Sequence, residues 1–123
     1  MKYLGVDFGL KRVGFAYSEG VIASPMKAIP VFSSKDAVQK ILNQGKDFDK
    51  IIIGKPGGLI GKKVEKIVQI LKQVNIDVET QDENLSSKRA IVNMIDLGIS
   101  QKKRRINDAF AAAIILQEYL DNL

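Results

Sequence analysis

Cysteine, histidine and tryptophan are all absent from the 123 residues. Without cysteine the chain has no disulfide, no thiol nucleophile and no thiolate metal site. Without histidine it can form neither a Ser-His-Asp nor a Cys-His catalytic arrangement, and the usual zinc ligand sets are excluded. Any catalysis must therefore use carboxylates, lysine, hydroxyl groups or a metal ion held by oxygen ligands.

Long uncharged segments are also missing. The longest, Ala109–Gln117, has nine residues, whereas about 20 are needed to cross a bilayer. The N-terminal apolar run is interrupted by Asp7, which is atypical of a signal peptide. Hydrophobic residues make up 46% and charged residues 27% of the chain, values typical of globular proteins. We expect a cytoplasmic protein with one domain over residues 1–123 and no membrane partner.

Basic residues outnumber acidic ones by 19 to 14, which gives a net charge of +5. The excess is concentrated between residues 88 and 105, where six basic residues accompany a single acid, Asp96. Such a cluster is typical of proteins that bind nucleic acid, although the solvated surface of any basic protein has a similar composition. The six residues are Lys88, Arg89, Lys102, Lys103, Arg104 and Arg105.

The order of predicted elements is β-β-β-α-β-α-β-α-α, an α/β pattern typical of a mixed sheet with helices on its faces. Alternation and turn residues predict the strands, and 3-4 spacing of apolar residues predicts the helices. We expect a Gly/Pro loop at 55–61, a basic loop at 100–106, and Asn107 as the cap of the last helix. The predicted strands are residues 3–8, 12–18, an extended edge segment 21–31, 50–54 and 76–83, and the predicted helices are residues 34–45, 62–75, 86–97 and 108–120.

Acidic residues stand at three places where packing would favour apolar side chains. Asp7 lies near the end of the first strand, Asp82 and Glu83 end the last strand, and Asp108 opens the last predicted helix. Strand alternation puts Asp82 and Glu83 on opposite faces and does not choose between them. Taken singly, each acid also fits an ordinary role at a turn or at a helix start.

The phase of the last predicted helix indicates which way the side chain of Asp108 points. At 100° per residue, Ala112, Ile115 and Tyr119 fall within about 40° of Asp108, so its side chain is in phase with the buried stripe. Sites in sheets with parallel strands lie beyond the carboxyl ends of those strands, where the three acidic positions could meet. Clustered carboxylates repel unless a cation joins them, and an all-oxygen ligand set matches Mg²⁺ or Mn²⁺.

Three glycines in the first two predicted strands and the turn between them indicate where another group can come close to the backbone. Gly9 allows a turn directly after Asp7, or is only a hairpin residue. Gly5 and Gly14 remove side-chain bulk from neighbouring strands, so another backbone or a substrate can come close.

The loop at 54–63 is not a phosphate-binding P-loop. The pattern G-x-x-x-x-G-K-[ST] requires Gly at 56 and Ser or Thr at 63, where the chain has Pro56 and Lys63. Backbone amides at the start of the next helix, together with Lys62 and Lys63, could still hold a phosphodiester.

Four segments, in order, resemble one family over nearly the whole chain. Residues 7–16, DFGLKRVGFA, match D-x-G-x-K-R-x-G-x-A, and residues 53–56 match V-G-x-P. Residues 82–87 resemble D-E-R-x-[ST], and residues 108–120 resemble D-x-x-A-A-x-x-I-L-x-x-Y-L. The sequence thus resembles the YqgF family, also called RuvX, the Holliday junction resolvases with a ribonuclease H-like fold. Asn84 stands where the family usually has Arg, and the loop after Pro56 is shorter than is usual there.

The resemblance implies a metal-dependent nuclease with a ribonuclease H-like mixed sheet flanked by helices. It implies Asp7, Glu83 and Asp108 as the catalytic and metal-binding acids, with two Mg²⁺ or Mn²⁺ ions, and so it selects Glu83 over Asp82. The substrates it implies are the 5′ end of precursor 16S rRNA, which we favour, and the four-way DNA junction. Basic side chains would bind the backbone without sequence preference. The predicted nucleic-acid-binding residues are Lys11, Arg12, Lys62, Lys63, Lys102, Lys103, Arg104 and Arg105.

Two other functions fit parts of the sequence. The opening Asp-x-Gly-(x)₄-Gly also resembles the phosphate motif of actin-like ATPases and sugar kinases, but those need two such domains and this chain has one. A non-catalytic nucleic-acid-binding module would need the basic surface and not the acids. We expect a monomer or a weak homodimer, since paired cuts in a junction would require a two-fold dimer.

Overall fold

The computed structural model describes residues 1–83 and 101–123, with the backbone alone for 101–106. The predicted helix over 86–97 lies outside the described residues, as do Asn84, Lys88 and Arg89. Within the described parts, no helix is long and apolar enough to cross a membrane. The elements are β1 (Tyr3–Phe8), β2 (Arg12–Ser18), β3 (Ser24–Pro30), α1 (Ser34–Gly45), β4 (Lys50–Lys55), α2 (Gly58–Gln73), β5 (Val78–Asp82) and α3 (Gln101–Asp121).

The five strands form one mixed sheet in the order β3-β2-β1-β4-β5. Strands β1, β2 and β3 pair antiparallel, whereas β1 pairs parallel with β4 and β4 with β5. Strand β3 lies at an edge, where Pro25 and Pro30 are tolerated because an edge strand needs fewer ladder hydrogen bonds. The predicted mixed sheet with helices on its faces is confirmed, and the edge strand is shorter than the predicted segment 21–31.

The two faces of the sheet carry different cores. The side chains of Leu4, Val6 and Phe8 in β1 belong to the larger core, which α1 and α2 complete. The alternate residues of β1 face α3, where the core is built from small side chains such as Ala16 and Ala112. Since the pleat sends successive side chains to opposite faces, Asp7 lies on the α3 face together with Gly5.

Helix α1 begins at Ser34, where the helix is predicted to begin, and Ser33 and Asp36 cap its N-terminus. The backbone N–H of Asp36 donates to Oγ of Ser33 at 3.0 Å, and the N–H of Phe32 donates to Oδ2 of Asp36 at 3.0 Å. A hydrogen bond from Lys40, followed by the one from the Phe32 backbone, holds the pKa of Asp36 below its ordinary value of 3.8. These bonds satisfy amides at the helix N-terminus that lack intrahelical partners.

Two helices begin earlier than predicted. Helix α2 begins at Gly58, not Lys62, because Ile60 packs against the larger core and Gly61 allows the helix to approach Pro56, whose carbonyl oxygen would lie 2.1 Å from a Cβ at that position. Helix α3 begins at Gln101, not Asp108. The predicted basic loop at 100–106 is therefore wrong from Gln101 onward, because lysine, arginine and glutamine favour the helix and no Gly or Pro interrupts it.

Candidate active site

Helix α3 lies directly on strand backbone at two glycines. A Cβ at Gly14 would lie 2.1 Å from the carbonyl oxygen of Asp108, and one at Gly5 would lie 2.8 Å from Cβ of Leu116 and 3.0 Å from the carbonyl oxygen of Ala112. Any side chain at either position would push the helix away. The prediction that Gly5 and Gly14 permit close approach of another backbone is confirmed.

The C-terminal half of α3 is fixed by polar contacts. The side-chain amide of Gln117 accepts from the N–H of Ala23 at 2.9 Å and donates to the carbonyl oxygen of Val21 at 2.8 Å. The hydroxyl of Tyr119 donates to the carboxylate of Glu79. Burial, and then this hydrogen bond, raise the pKa of Tyr119 above its ordinary value of 10.0. These contacts set the rotation of α3 about its axis and with it the direction of Asp108.

Asp7 stands between two glycines in the centre of the sheet. Its register partner in β2 is Gly14. On the other side, Val6 pairs with Ile53, so the next step of the parallel register places Gly54 beside Asp7. Neighbouring strands are about 4.8 Å apart. The α3 face therefore has an acid flanked by two positions without side chains; the backbone of α3 covers Gly14, and Gly54 leaves room above the sheet on the other side of Asp7.

Glu83 fills part of that room. Its N–H donates to the carbonyl oxygen of Lys55 at 3.3 Å, which continues the pairing of β5 with β4 by one residue. Its Oε1 lies 3.0 Å from the place a Cβ would take at Gly54. Oε1 of Glu83 and Oδ1 of Asp7 are both buried, whereas Asp82 is exposed. The geometry thus distinguishes two neighbouring acids that strand alternation leaves equivalent.

Asp108 lies in the eighth position of α3 and is not at its start. The explanation that this acid interacts with the helix macrodipole therefore fails, because that effect fades within the first turn. Its Oδ2 accepts from Nε of Arg12 at 2.6 Å. The side chains of Arg12 and Asp108 are 30% and 22% exposed, so solvent reaches both. Arg12, predicted to bind phosphate, is here an ion-pair partner of a predicted metal ligand.

The donor chemistry suits a hard divalent cation, although the three acids do not form a closed set. Asp7 and Glu83 bring carboxylate oxygens to the two sides of Gly54, and oxygen ligands are those that Mg²⁺ and Mn²⁺ prefer. Over residues 1–83 and 107–123, no three acidic side chains are grouped so that they could hold a metal ion. The carboxylate of Asp108 is engaged by Arg12 instead. That all three acids share a cation stays a prediction.

The remaining predicted residues lie in three places. Lys11 is exposed in the turn between β1 and β2. Lys62 and Lys63 are exposed in the second turn of α2, not at its first residues, and Lys63 lines a groove of about 360 Å³ between α1 and α2, on the sheet face opposite Asp7. Lys102, Lys103, Arg104 and Arg105 belong to the first turns of α3, but their side chains lie outside the described part of the chain.

Two residues of the site were not predicted. Gly54 was assigned no role, although a glycine ending a buried Ile-Ile-Ile run is a signal that something approaches that strand. Asn107, expected to cap a helix, is only 6% exposed within α3, and its Nδ2 has no hydrogen-bond partner among the described residues. A polar residue in this position next to Asp108 was a signal of the site. Interpreting Asn107 only as a helix cap missed that signal.

Comparison with known proteins decides the family. The family model described as RuvX, Holliday junction resolvase, matches residues 1–122. The chain belongs to the RuvX family. The RuvX chain is 34% identical over 132 residues to a protein of Clostridioides difficile (strain 630) named "Putative pre-16S rRNA nuclease", with 98% of this chain and 94% of that protein covered. A relative with the same name in Bacillus thuringiensis (strain Al Hakam) is 34% identical over 137 residues, and 99% of each chain is covered.

Solved structures agree on the fold. The Fowlpox virus resolvase in complex with Holliday junction DNA superposes with a TM-score of 0.61 at 14% identity, covering 99% of the RuvX chain and 98% of the viral one. RuvC of T. thermophilus in complex with a Holliday junction substrate gives 0.56 at 16% identity, with 99% and 94% covered. The predicted family, the ribonuclease H-like fold and the enzyme class, a nuclease, are confirmed.

Proposed function

We propose that this RuvX protein is a divalent-metal-dependent phosphodiesterase in which Asp7, Glu83 and Asp108 form the catalytic centre. The observation that carries the proposal is the row Gly14, Asp7, Gly54 across three strands, with Asp108 over one glycine and Glu83 over the other. Two of the acids are thereby brought to a surface cleared of side chains, and the third lies in the helix that covers it.

Asp7 and Glu83 would hold the metal, and Asp108 would join them when its carboxylate leaves Arg12. A bound Mg²⁺ or Mn²⁺ would supply charge stabilisation at the phosphate and lower the pKa of a water molecule. The residues themselves shape the site. Gly14 and Gly54 let α3 and Glu83 lie close to Asp7, and Ile115, whose Cδ1 would lie 2.4 Å from a Cβ at Gly54, shields one flank from water.

The substrate we propose is the 5′ end of precursor 16S rRNA in ribosome biogenesis, in the cytoplasm. The names of the curated relatives support this substrate. The four-way DNA junction is the second candidate, supported by the description of the family model and by junction complexes with the same fold. Paired cuts in a junction would require two copies of the chain, so the junction substrate also implies a homodimer.

The test places labelled substrates side by side. The protein is incubated with Mg²⁺ or Mn²⁺ and with precursor 16S rRNA carrying its 5′ extension, a four-way junction, or duplex DNA. We expect metal-dependent cleavage of the RNA. Cleavage of the junction alone would establish the second candidate. Retained binding without cleavage of any substrate, in wild type and Asp7→Asn alike, would identify a non-catalytic binding module.

Two neighbouring acids provide a matched control. Glu83→Gln should abolish cleavage, whereas Asp82→Asn should retain it, since Asp82 is exposed and Glu83 reaches Gly54. Equal loss in both variants would contradict the assignment of Glu83 as the acid of this strand.

A further inference from the structure

Arg12 lies on the same face of the sheet as the candidate metal ligands. It is two residues before Gly14 in β2, so both face α3. The tight turn after β1 holds it there: the N–H of Gly9 donates to the carbonyl oxygen of Arg12 at 2.9 Å, and a Cβ at Gly9 would lie 2.8 Å from the same oxygen. The backbone of Arg12 is therefore fixed close to Asp7, and its side chain is the part that can move.

The guanidinium of Arg12 is bound to the carboxylate of Asp108, the third predicted metal ligand. The Nε of Arg12 and Oδ2 of Asp108 are 2.6 Å apart, the length of a strong charge-assisted hydrogen bond. A carboxylate neutralised in this way is a poor ligand for a cation, because the cation would have to displace a positive charge. This agrees with the absence of a three-acid metal cluster over residues 1–83 and 107–123.

The pair is also accessible to a phosphate. Both side chains are between one fifth and one third exposed, unlike a sealed internal ion pair. A guanidinium presents a planar set of donors that matches a phosphate as well as it matches a carboxylate. A phosphodiester arriving at the solvent-exposed side of this pair could thus bind Arg12 in place of Asp108.

We propose that Arg12 is a positioning residue that holds Asp108 away from the metal until a nucleic-acid phosphate takes its guanidinium. This inference rests on the proposed metal-dependent nuclease function and adds how its site is assembled. Release of Asp108 completes the metal ligand set only on nucleic acid. Binding of metal and of nucleic acid must then favour each other by the same factor, since coupling between two ligands is reciprocal.

A purely structural role makes a different prediction. If Arg12 only tied β2 to α3, its replacement would lower the melting temperature and leave metal affinity unchanged or weaker. If it holds Asp108 back, its replacement should tighten metal binding in the absence of nucleic acid. Tighter metal binding after replacement is therefore expected only if Arg12 holds Asp108 back.

The experiment measures the dissociation constant of Mn²⁺ for wild type, Arg12→Gln and Lys27→Gln by titration calorimetry without nucleic acid. Lys27 is an exposed lysine of the neighbouring strand β3 and loses the same charge, so it controls for the general field. We expect Arg12→Gln to bind Mn²⁺ at least about five-fold more tightly, the lower end of typical coupling factors, and Lys27→Gln to change it by less than about two-fold. With Asp108→Asn as background, Arg12→Gln should have no more effect than Lys27→Gln.

A second measurement adds a hydrolysis-resistant phosphorothioate oligonucleotide. It should tighten Mn²⁺ binding of wild type and leave Arg12→Gln unchanged, after subtraction of the ions that the oligonucleotide binds alone. Arg12→Met, which keeps the length of the side chain and removes its charge, gives the same test if Arg12→Gln does not fold. Equal or weaker Mn²⁺ binding in Arg12→Gln, with binding still lost in Asp7→Asn, would overturn this proposal and leave the nuclease intact. Absence of Mn²⁺ binding in every variant and in wild type would overturn both.

Discussion

Because α3 lies against Gly14, adding one methyl group at this position should lower stability strongly. In Gly14→Ala the new Cβ would lie 2.1 Å from the carbonyl oxygen and 2.5 Å from the carbonyl carbon of Asp108. An ordinary contact begins near 3.4 Å, so the strand or the helix must move by about 1.3 Å, and neither is a flexible side chain. Overpacking of this kind costs about 1–3 kcal/mol, and we place this case at about 3 kcal/mol.

The loss is measurable as a melting temperature. An unfolding entropy of about 2.1 cal/mol/K per residue gives about 4 °C per kcal/mol for a chain of this length, so Gly14→Ala should melt about 12 °C lower. Because a displacement of about 1 Å at a reacting group costs about 100-fold in rate, folded Gly14→Ala should also cleave about 100 times more slowly.

The matched control is Gly20→Ala, where a new Cβ would have no atom within 4 Å. It should change the melting temperature by less than about 2 °C, as surface substitutions usually do. If Gly14→Ala melted within that same range and kept its cleavage rate, α3 would not lie on β2 at Gly14, and the position assigned to Asp108 would be wrong.

Three further predictions concern other parts of the molecule. Leu116→Ala, which removes a fully buried side chain over Gly5, should lower the free energy of unfolding by about 2–5 kcal/mol in denaturant titration. Asp36→Asn should melt below wild type above pH 3.8, and the difference should vanish as the pH falls through the lowered pKa of Asp36, because only the charged carboxylate gains from Lys40; a difference that persists in acid would contradict this. Nucleic-acid affinity should fall with salt at a logarithmic slope of roughly −3 to −5 for about four to six neutralised phosphates, and an unchanged slope after joint neutralisation would exclude the basic residues Lys102, Lys103, Arg104 and Arg105 as contacts.

Much of the fold follows from local patterns. The run Ile51-Ile52-Ile53 predicts a strand buried on both faces, and the structure places Ile52 in the core under α3 and its two neighbours in the larger core. The prediction that Asp108 is in phase with the buried stripe of its helix also holds, since the phase depends on 100° per residue and not on where the helix begins. The spacing of apolar residues indicates both the type of an element and its buried face. It is read within a short segment, so the sequence alone provides it.

The features that the sequence did not predict depend on competition between local preferences or on contacts between residues far apart in the chain. Asn107 is a good cap, but the basic residues before it are good helix formers, and only the folded chain shows which preference prevails. Asp82 and Glu83 differ by contact with Gly54, which belongs to another strand. The pair of Arg12 and Asp108 joins residues 96 positions apart, so no local pattern could have revealed it.

We propose that Asp7 and Glu83 hold a divalent metal above Gly54. The most direct measurement is anomalous scattering from crystals of wild type grown with Mn²⁺ and a hydrolysis-resistant oligonucleotide. We predict an anomalous peak in contact with carboxylate oxygens of both Asp7 and Glu83, with Asp108 turned from Arg12 to the same ion. A peak elsewhere on the protein, with no density between Asp7 and Glu83 at saturating Mn²⁺, would show that these two acids do not hold the metal.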